Sequence, residues 1–340
     1  MTTNLNIVLS LFDGMSTGQK ALSDLNIKYI KYYASEIKPA AIKLVKSHFP
    51  ETTQLGDVKN WESWNIDWSR VSLILSGSPC QDLSIAGKQK GITGKKSFLF
   101  FVFVDILNHV RKYNPDVLFF QENVAKGVAD EDIRIISESL GIYPFRTNSN
   151  LVTAQNRDRN YWSNFKTKKV GFFNDIYTDF THPSVLKTQL SDILENGFTL
   201  DKKAQTLLAS EAKTFGYKNM DKFKALIIRR LKAKKQNPNL VYSFSDKAKT
   251  GALLESEGKN TWKDKNKQVN RYYKHSTHLI ILSLENGTLD VRNLTKIELC
   301  RLQGFPDNYC DILTRNQAAS LLGDGWTLPM IKHFFKELKR

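Results

Sequence analysis

The chain has 340 residues, a hydrophobic fraction of 41% and a formal net charge of +16. This length and composition are typical of a globular protein with one large α/β domain and a smaller appendage. The sequence contains no apolar run long enough for a membrane span and no basic, apolar leader, so we expect neither a transmembrane helix nor a signal peptide.

Short apolar runs alternate with helical patterns up to about residue 165. Such alternation predicts βαβ units and therefore an α/β fold, with a Rossmann-like, mostly parallel sheet and helices on both faces. The predicted elements are the strands Ile7–Leu11, Tyr29–Ser35, Val71–Ser76 and Val117–Gln121, and the helices Thr17–Leu25, Pro39–Ser47 and Phe98–Lys112. Ligands of such sheets bind beyond the carboxyl ends of the strands.

The sequence changes character from about Phe165, where lysine becomes frequent and strands are hard to predict. Helical patterns return at Thr295–Leu302, Gln317–Leu322 and Pro329–Lys339. We therefore predict a catalytic domain at residues 1–164, a smaller irregular lobe at 165–290, and C-terminal helices at 291–340 that return to the catalytic domain.

The positive charge is concentrated in this middle lobe. Between Lys202 and Lys274, nineteen Lys and Arg residues stand against six Asp and Glu residues, a net charge of +13. A localised basic region indicates a polyanionic partner, most simply nucleic acid. The alternative is a solvated, lysine-rich surface.

The cysteines give no sign of a disulfide framework or a zinc site. Cys80, Cys300 and Cys310 are sparse and lack the paired spacing that either would need. His275 and His278 are three residues apart but have no cysteine nearby. We therefore predict no metal and a reducing, cytoplasmic setting.

Three groups of polar residues follow or occupy predicted strands. Cys80 follows Val71–Ser76, where positive charge or backbone N–H groups can stabilise a reactive thiolate; the alternative is a buried structural cysteine. Glu122 follows the strand that ends at Gln121, so a thiolate and a carboxylate can share a substrate; alternatively it is a surface residue. Arg157 and Arg159 alternate along a further predicted strand and can present paired donors, or they lie on an exposed charged strand.

In their order along the chain, these motifs resemble those of the cytosine-5 DNA methyltransferase family of bacteria, phages and animals. The resemblance implies the S-adenosylmethionine-dependent class I methyltransferase fold. The resemblance covers nearly the whole chain apart from the middle lobe. Its motifs are Pro79-Cys80-Gln81 with its continuation 84–91, Glu122-Asn123-Val124, the segment 155–159, Arg292-Asn293-Leu294-Thr295 with the segment 301–306, and the segment 323–329.

The resemblance implies transfer of a methyl group from S-adenosylmethionine to C5 of a cytosine flipped out of duplex DNA, leaving S-adenosylhomocysteine. Cys80 would attack C6 as the nucleophile and Glu122 would act as the acid at N3. Arg159 would contact the base O2 or orient Cys80, and Arg157 is a second candidate for that role. The base that removes the C5 proton is not identified, and a water is one candidate.

The resemblance also implies a cofactor site at the first strand-to-helix turn. Phe12 would lie against the adenine, and the backbone around Asp13, Gly14 and Gly18 would face the methionine. Glu36 would bind the ribose hydroxyls. The other candidate cofactor-binding residues are Asp57, which would bind the adenine amino group, and Ile37, Val58, Pro79, Leu99 and Asp324.

Two positions depart from the family pattern. Ser16 and Thr17 stand where two glycines are usual. Asp324 stands where Asn is usual, and its carboxylate would face the carboxylate of the cofactor itself.

The candidate DNA-binding residues belong to the catalytic loop and the middle lobe. The loop Ser84–Ser97 would close over the flipped base, and the middle lobe would recognise the target, with Thr206-Leu207 resembling a recurring pair of the family. These candidates are Gln81, Ser84, Lys88, Thr206, Lys232, Lys234 and Lys235.

We expect the protein to be a monomer that binds double-stranded DNA and no membrane. A cognate restriction endonuclease is a candidate partner. The alternatives are a tRNA cytosine-5 methyltransferase and a catalytically inactive DNA-binding subunit.

Overall fold

A computed structural model describes residues 5–79, 98–125, 128–199, 202–204, 206–207, 279–283 and 289–339. The described residues fall into two compact units. The first unit lies within Met1–Val152, Arg157–Leu186 and Asp324–Arg340, and the second lies within Thr153–Asn156 and Lys187–Gly323. The division predicted at residues 164 and 290 stays a prediction, because most of the basic middle segment lies outside the described residues.

Seven strands of the first unit form one sheet. They are β1 (Leu5–Leu11), β2 (Tyr29–Ser35), β3 (Thr53–Gln54), β4 (Val71–Ser76), β5 (Leu118–Val124), β6 (Phe145–Asn148) and β7 (Asp158–Ser163). Their order in the sheet is β3-β2-β1-β4-β5-β7-β6. Strands β1 to β5 pair in parallel, and β7 runs antiparallel to both of its neighbours. The mostly parallel sheet predicted from the alternating pattern is confirmed.

The described helices are α1 (Thr17–Asp24), α2 (Pro39–His48), α3 (Phe98–Tyr113), α4 (Asp130–Leu140), α5 (Lys296–Leu302), α6 (Arg315–Asp324) and α7 (Leu328–Phe335). Short 3₁₀ turns occupy Val58–Ser63, Trp68–Arg70, Ser149–Leu151, Leu190–Ile193 and Lys336–Lys339. Two antiparallel strand pairs complete the described part: β8 (Thr167–Val170) with β9 (Asp175–Thr178) in the first unit, and β10 (Leu279–Ser283) with β11 (Leu289–Asn293) in the second.

Every element predicted before residue 125 is present, with its ends shifted by at most three residues. The predicted helix Pro329–Lys339 ends earlier, because α7 stops at Phe335 and a 3₁₀ turn follows. Helix α4 and the strands β3, β6, β8, β9, β10 and β11 were not predicted.

The two faces of the sheet bury different aromatic side chains, because neighbouring residues of a strand point to opposite faces. Phe119 of β5 packs toward α3, where its ring centroid lies 6.5 Å from that of Phe103. Phe120, the next residue, points the other way and packs edge-on against Phe335 of α7, with ring centroids 5.5 Å apart. Helices therefore cover both faces of the sheet, and the strands are apolar on both sides.

The carboxyl ends of the parallel strands meet at one edge of this sheet. Strand β1 lies between β2 and β4, so the chain order reverses there. Ligands of doubly wound sheets bind at such a reversal, in the crevice outside the strand ends. This edge is therefore where a cofactor site is expected.

The described residues include neither a membrane-spanning helix nor a cluster of metal-binding side chains. None of their helices combines the length and the apolar character that a bilayer crossing requires. The same part of the chain holds no cluster of three or more His, Cys, Asp or Glu side chains suited to a metal ion.

Replacing Phe120 by Ala removes a fully buried ring that contacts six other aromatic rings. We expect the free energy of unfolding to fall by about 3–5 kcal/mol, because the cavity cannot fill completely. Phe172 is the matched control, since it is 93% exposed and Phe172→Ala removes no buried contact of this size. Urea unfolding of both variants is the measurement, and equal losses would show that this face of the sheet is not a packed core.

Candidate active site

The turn between β1 and α1 has an unusual backbone. Phe12, Gly14 and Ser16 all adopt left-handed conformations, with φ angles of 56°, 57° and 55°. Such angles suit glycine but are uncommon for other residues, and they concentrate at ligand sites. The turn lies at the carboxyl end of β1, where the chain order reverses. Its shape and place fit the predicted contact with a cofactor.

Gly18 is the last residue of the motif that begins at Phe12, and close packing against the sheet explains why it is a glycine. A Cβ atom at this position would lie 2.5 Å from Cδ1 of Leu75 in β4. The missing side chain lets α1 lie close against the sheet. A backbone contact between Gly18 and the cofactor stays a prediction.

Glu36 joins two turns at this edge of the sheet. Its Oε2 accepts a hydrogen bond from the backbone N–H of Gly14 at 2.8 Å. Its Oε1 accepts from the backbone N–H groups of Ile37 and Lys38, each at 2.8 Å. These donors fix the carboxylate at the end of β2, in the position where an acidic residue can receive ribose hydroxyls.

Asp13 carries a polar atom without a partner. Tyr32 donates its hydroxyl to Oδ1 at 3.0 Å, whereas Oδ2 is shut off from solvent and has no hydrogen-bond partner among the described residues. The residue as a whole is only half-buried. Burial of the carboxyl raises the pKa of Asp13 to about 6, against hydrogen bonds that lower it. Oδ2 of Asp13 is thus an acceptor without a partner in the turn between β1 and α1. Such an atom fits a site that binds a ligand with hydrogen-bond donors.

The residues predicted to surround the adenine differ in their exposure to solvent. Ile37 is 66% exposed, so its apolar side chain is open to contact with a ligand. Asp57 uses Oδ1 to cap a 3₁₀ turn by accepting from the N–H of Lys59 at 3.0 Å, and Val58 is buried. Pro79 and Leu99 are half-buried. Together with the turn and Glu36, these residues fit an adenosine cofactor.

Asp324 forms an ion pair that the sequence did not predict. Its Oδ2 lies 2.6 Å from Nζ of Lys38. The neighbouring Gly325 accepts a hydrogen bond at its carbonyl from Nη2 of Arg157 at 2.8 Å. The departure from the usual Asn is therefore balanced by a cation, and Arg157 anchors the backbone of this turn.

Glu122 and Arg159 meet at the junction of β5 and β7. Nε of Arg159 lies 2.7 Å from Oε1 of Glu122, and the two side chains are only 11% and 10% exposed. The antiparallel register pairs Glu122 with Tyr161 and Val124 with Arg159, which places the two charged side chains diagonally on one face. The structure thus brings together the predicted acid and one of the predicted arginines, and both are buried.

The segment before Cys80 is held beside this pair of strands. Ser78 accepts a hydrogen bond at Oγ from Nε2 of Gln121 at 3.0 Å, and Gln121 directly precedes Glu122. Cys80, Gln81, Ser84 and Lys88 lie outside the described residues, so their predicted roles stay predictions.

The predicted DNA-binding residues of the middle lobe are described at one position. Thr206 donates its hydroxyl to the carbonyl oxygen of Asn156 at 2.8 Å, within the second unit. Lys232, Lys234 and Lys235 lie outside the described residues.

Sequence reasoning missed Lys38 and Gln121. Lys38 pairs with a residue 286 positions away, and no periodic pattern indicates such a partner. Gln121 had a usable signal, since a polar residue in the apolar run before Glu122 needs a buried hydrogen-bond partner.

Solved structures of methyltransferases share this fold. The chain is similar to the Entamoeba histolytica methyltransferase EhMeth, with a TM-score of 0.57, 15% identity and 98% of each chain covered. It is also similar to the S. pombe Dnmt2 methyltransferase, with a TM-score of 0.53, 16% identity, and 98% of this chain and 97% of that chain covered. At these identities the likeness establishes the class I methyltransferase fold.

The family follows from the sequence match. Residues 7–340 match the C-5 cytosine-specific DNA methylase family, and the chain belongs to it. The chain is 27% identical to the type II methyltransferase M1.ScrFI of Lactococcus lactis subsp. cremoris, over 88% of this chain and 69% of that protein. It is 25% identical to the type II methyltransferase M.HpaII of Haemophilus parainfluenzae, over 97% of this chain and 88% of that protein. The protein is a DNA cytosine-5 methyltransferase.

The raised pKa of Asp13 makes a prediction about stability. A carboxyl group whose pKa is higher in the folded state contributes stability at low pH, and this contribution is lost as the pH rises through about 6. The Asp13→Asn variant has no carboxyl group at this position, so its stability should not fall in this way as the pH rises. Between pH 5 and pH 8 the wild type should therefore lose stability relative to the variant, by on the order of 1 kcal/mol.

Urea unfolding of both proteins at pH 5, 6, 7 and 8 measures the difference. Asp67→Asn is the control, because Asp67 is an exposed aspartate of the same unit. A pH-independent difference between wild type and Asp13→Asn would contradict the assigned pKa shift.

Proposed function

We propose that this protein methylates C5 of a cytosine flipped out of duplex DNA, through a covalent bond between Cys80 and C6. The observation that carries the proposal is the buried contact between Glu122 and Arg159, 2.7 Å apart at the carboxyl end of β5. The proposed reaction is that of the family to which the chain belongs. We propose that the flipped base binds beside Glu122 and Arg159.

Cytosine C5 is a poor nucleophile until a group adds at C6. The Cys80 thiolate adds to C6, and the electrons of the C5–C6 double bond move to C5, which becomes enamine-like. When bound, S-adenosylmethionine supplies the electrophilic methyl group that C5 then takes. Loss of the C5 proton to water, expulsion of the Cys80 thiolate and return to Glu122 of the proton that it gives to N3 restore the neutral aromatic ring. Neither the protein nor the base undergoes a net redox change.

Glu122 lowers the barrier to the first addition. Negative charge develops toward N3 as the thiolate adds, and a carboxylic acid group that delivers a proton there stabilises it. Arg159 holds this side chain in place through Nε, and its guanidinium carries further donors that suit the base O2. The hydrogen bond from Gln121 to Ser78 keeps the start of the Cys80 loop beside the strand that carries Glu122.

The cofactor site that we propose lies around the turn from Phe12 to Gly18. Phe12 and the exposed Ile37 take the adenine between them, Glu36 receives the ribose hydroxyls, and Asp57 accepts from the adenine amino group. The orphaned Oδ2 of Asp13 supports a donor-bearing ligand at the same turn. S-adenosylhomocysteine leaves as the product.

The basic middle segment is proposed to bind the DNA target. Its charge of +13 between Lys202 and Lys274 suits contacts with phosphates, which set affinity but carry no sequence information. The relatives named as type II methyltransferases favour a protective role beside a cognate restriction endonuclease. We propose that the protein works as a monomer in the cytoplasm.

Transfer of tritiated methyl groups tests the proposed function. We expect label in duplex DNA and none in tRNA, with the label on C5 of cytosine. Cys80→Ser should keep less than about 1% of the wild-type rate, which corresponds to an activation barrier higher by at least about 2.7 kcal/mol, because a hydroxyl is not ionised at neutral pH.

Cys310→Ser is the control, since Cys310 is fully buried and outside the proposed chemistry. Label in tRNA alone would favour the RNA enzyme instead. The absence of label from either substrate would favour an inactive DNA-binding subunit, and an active Cys80→Ser variant would remove Cys80 from the mechanism.

Replacing Glu122 by Gln tests the acid. The single-turnover methylation rate should fall by about 10²–10⁴, because Gln binds the base but delivers no proton. The affinity for S-adenosylhomocysteine should stay within about threefold of wild type, since the cofactor is proposed to lie at other strand ends.

Glu138→Gln is the matched control, because it breaks an exposed ion pair with Arg134 instead of a buried one. Its stability should change by at most about 1 kcal/mol. Thermal melts of both variants separate a folding defect from a chemical one. An unchanged single-turnover rate in Glu122→Gln would show that Glu122 is not the acid.

A further inference from the structure

Lys38 and Asp324 form an ion pair that packing does not explain. Their charged atoms lie 2.6 Å apart, and the side chains are 47% and 48% exposed. An ion pair this exposed adds at most about 1 kcal/mol to stability, and often nothing. It joins positions 286 residues apart at the sheet edge that holds the proposed cofactor site.

The pair crosses the turn between β1 and α1. The backbone of Lys38 is bound to Glu36 at the end of β2. Asp324 precedes Gly325 and Trp326, and Nε1 of Trp326 lies 2.9 Å from the place that a Cβ of Gly77 would take, just after β4. Because β1 lies between β2 and β4, the side chains reach toward each other across the end of β1.

The two groups offer complementary chemistry at one place. An ammonium carries three donors, and the contact with Asp324 uses one of them. A carboxylate accepts at both oxygens, and the contact with Lys38 uses Oδ2 only. A neighbouring donor and acceptor of opposite charge match the carboxylate and the ammonium of a free α-amino acid end.

We propose that Lys38 and Asp324 together bind the amino acid end of S-adenosylmethionine, Lys38 taking the α-carboxylate and Asp324 the α-ammonium. The inference rests on the proposed function, in which the nucleoside part is held by Phe12, Glu36 and Asp57. It also accounts for an Asp where the family usually has Asn. Alone, this carboxylate would repel the carboxylate of the cofactor, whereas Lys38 supplies the cation that both carboxylates need.

The test compares two ligands that differ only in this end. S-adenosylhomocysteine carries the amino acid, and 5′-methylthioadenosine has the same nucleoside and thioether without it. Calorimetry with the full chain should show that Lys38→Met weakens binding of S-adenosylhomocysteine by about 10- to 100-fold, as expected for a charge-assisted hydrogen bond. Binding of 5′-methylthioadenosine should stay within about twofold of wild type.

Two further variants sharpen the comparison. Lys38→Arg keeps the charge and should recover most of the affinity for S-adenosylhomocysteine. Lys46→Met removes an exposed lysine from the same helix α2 and should change neither affinity. Thermal melts should be alike for all three variants, because the pair is exposed.

Three results would overturn the inference. In one, Lys38→Met leaves the affinity for S-adenosylhomocysteine within about twofold of wild type. In another, it weakens both ligands equally. Both results leave the proposed cofactor intact. The third is a wild-type protein that binds no S-adenosylhomocysteine, and it would overturn the cofactor assignment as well.

Discussion

Glu122 and Arg159 can be buried only while they stay paired, since a single charge left alone in a protein interior is strongly destabilising. Their 2.7 Å contact depends on the register between β5 and β7. A slip of one residue would turn one of the two side chains to the opposite face of the sheet. The register of the antiparallel strand β7 therefore fixes the geometry of the candidate site. This strand brings an arginine to the carboxyl end of β5.

The cofactor edge depends on a second carboxylate. Glu36 accepts from three backbone N–H groups, one on the β1–α1 turn and two at the end of β2. These bonds set the spacing of the two turns between which the cofactor is proposed to bind. In the sequence, the left-handed residues of the first turn precede Glu36. Lys38 and Asp324, which form the ion pair, follow it. Backbone donors thus fix the position of the charged groups at this edge of the sheet.

Much of the fold was predictable because a buried parallel sheet leaves a strong pattern in the sequence. The strands Tyr29–Ser35 and Val71–Ser76 form as predicted, since their apolar runs are short and are followed by residues suited to a turn. Helix α4 was missed although its signals were present. Ile133, Ile136 and Leu140 share one face, and Gly141 ends the helix in a left-handed conformation.

The members of the candidate site were predicted from the sequence, whereas the contacts between them were not. Glu122 and Arg159 were identified from their motifs, but their mutual contact depends on a pairing of strands that local patterns do not fix. Arg157 was placed on the strand, whereas it precedes β7 and bonds to Gly325. The Lys38–Asp324 pair was unpredictable for the same reason, because tertiary contacts across 286 residues leave no periodic signal.

The central claim is that Cys80 forms a covalent bond to the base. A duplex carrying 5-fluorocytosine at the target position tests it directly, since fluorine cannot leave C5 as the proton does and the adduct stays trapped. Incubation with S-adenosylmethionine, digestion with trypsin and nuclease, and mass spectrometry should place one nucleotide on the peptide from Val71 to Lys88, in which Cys80 is the only cysteine. No adduct after full conversion of an unmodified duplex, or an adduct on any other peptide, would contradict the account.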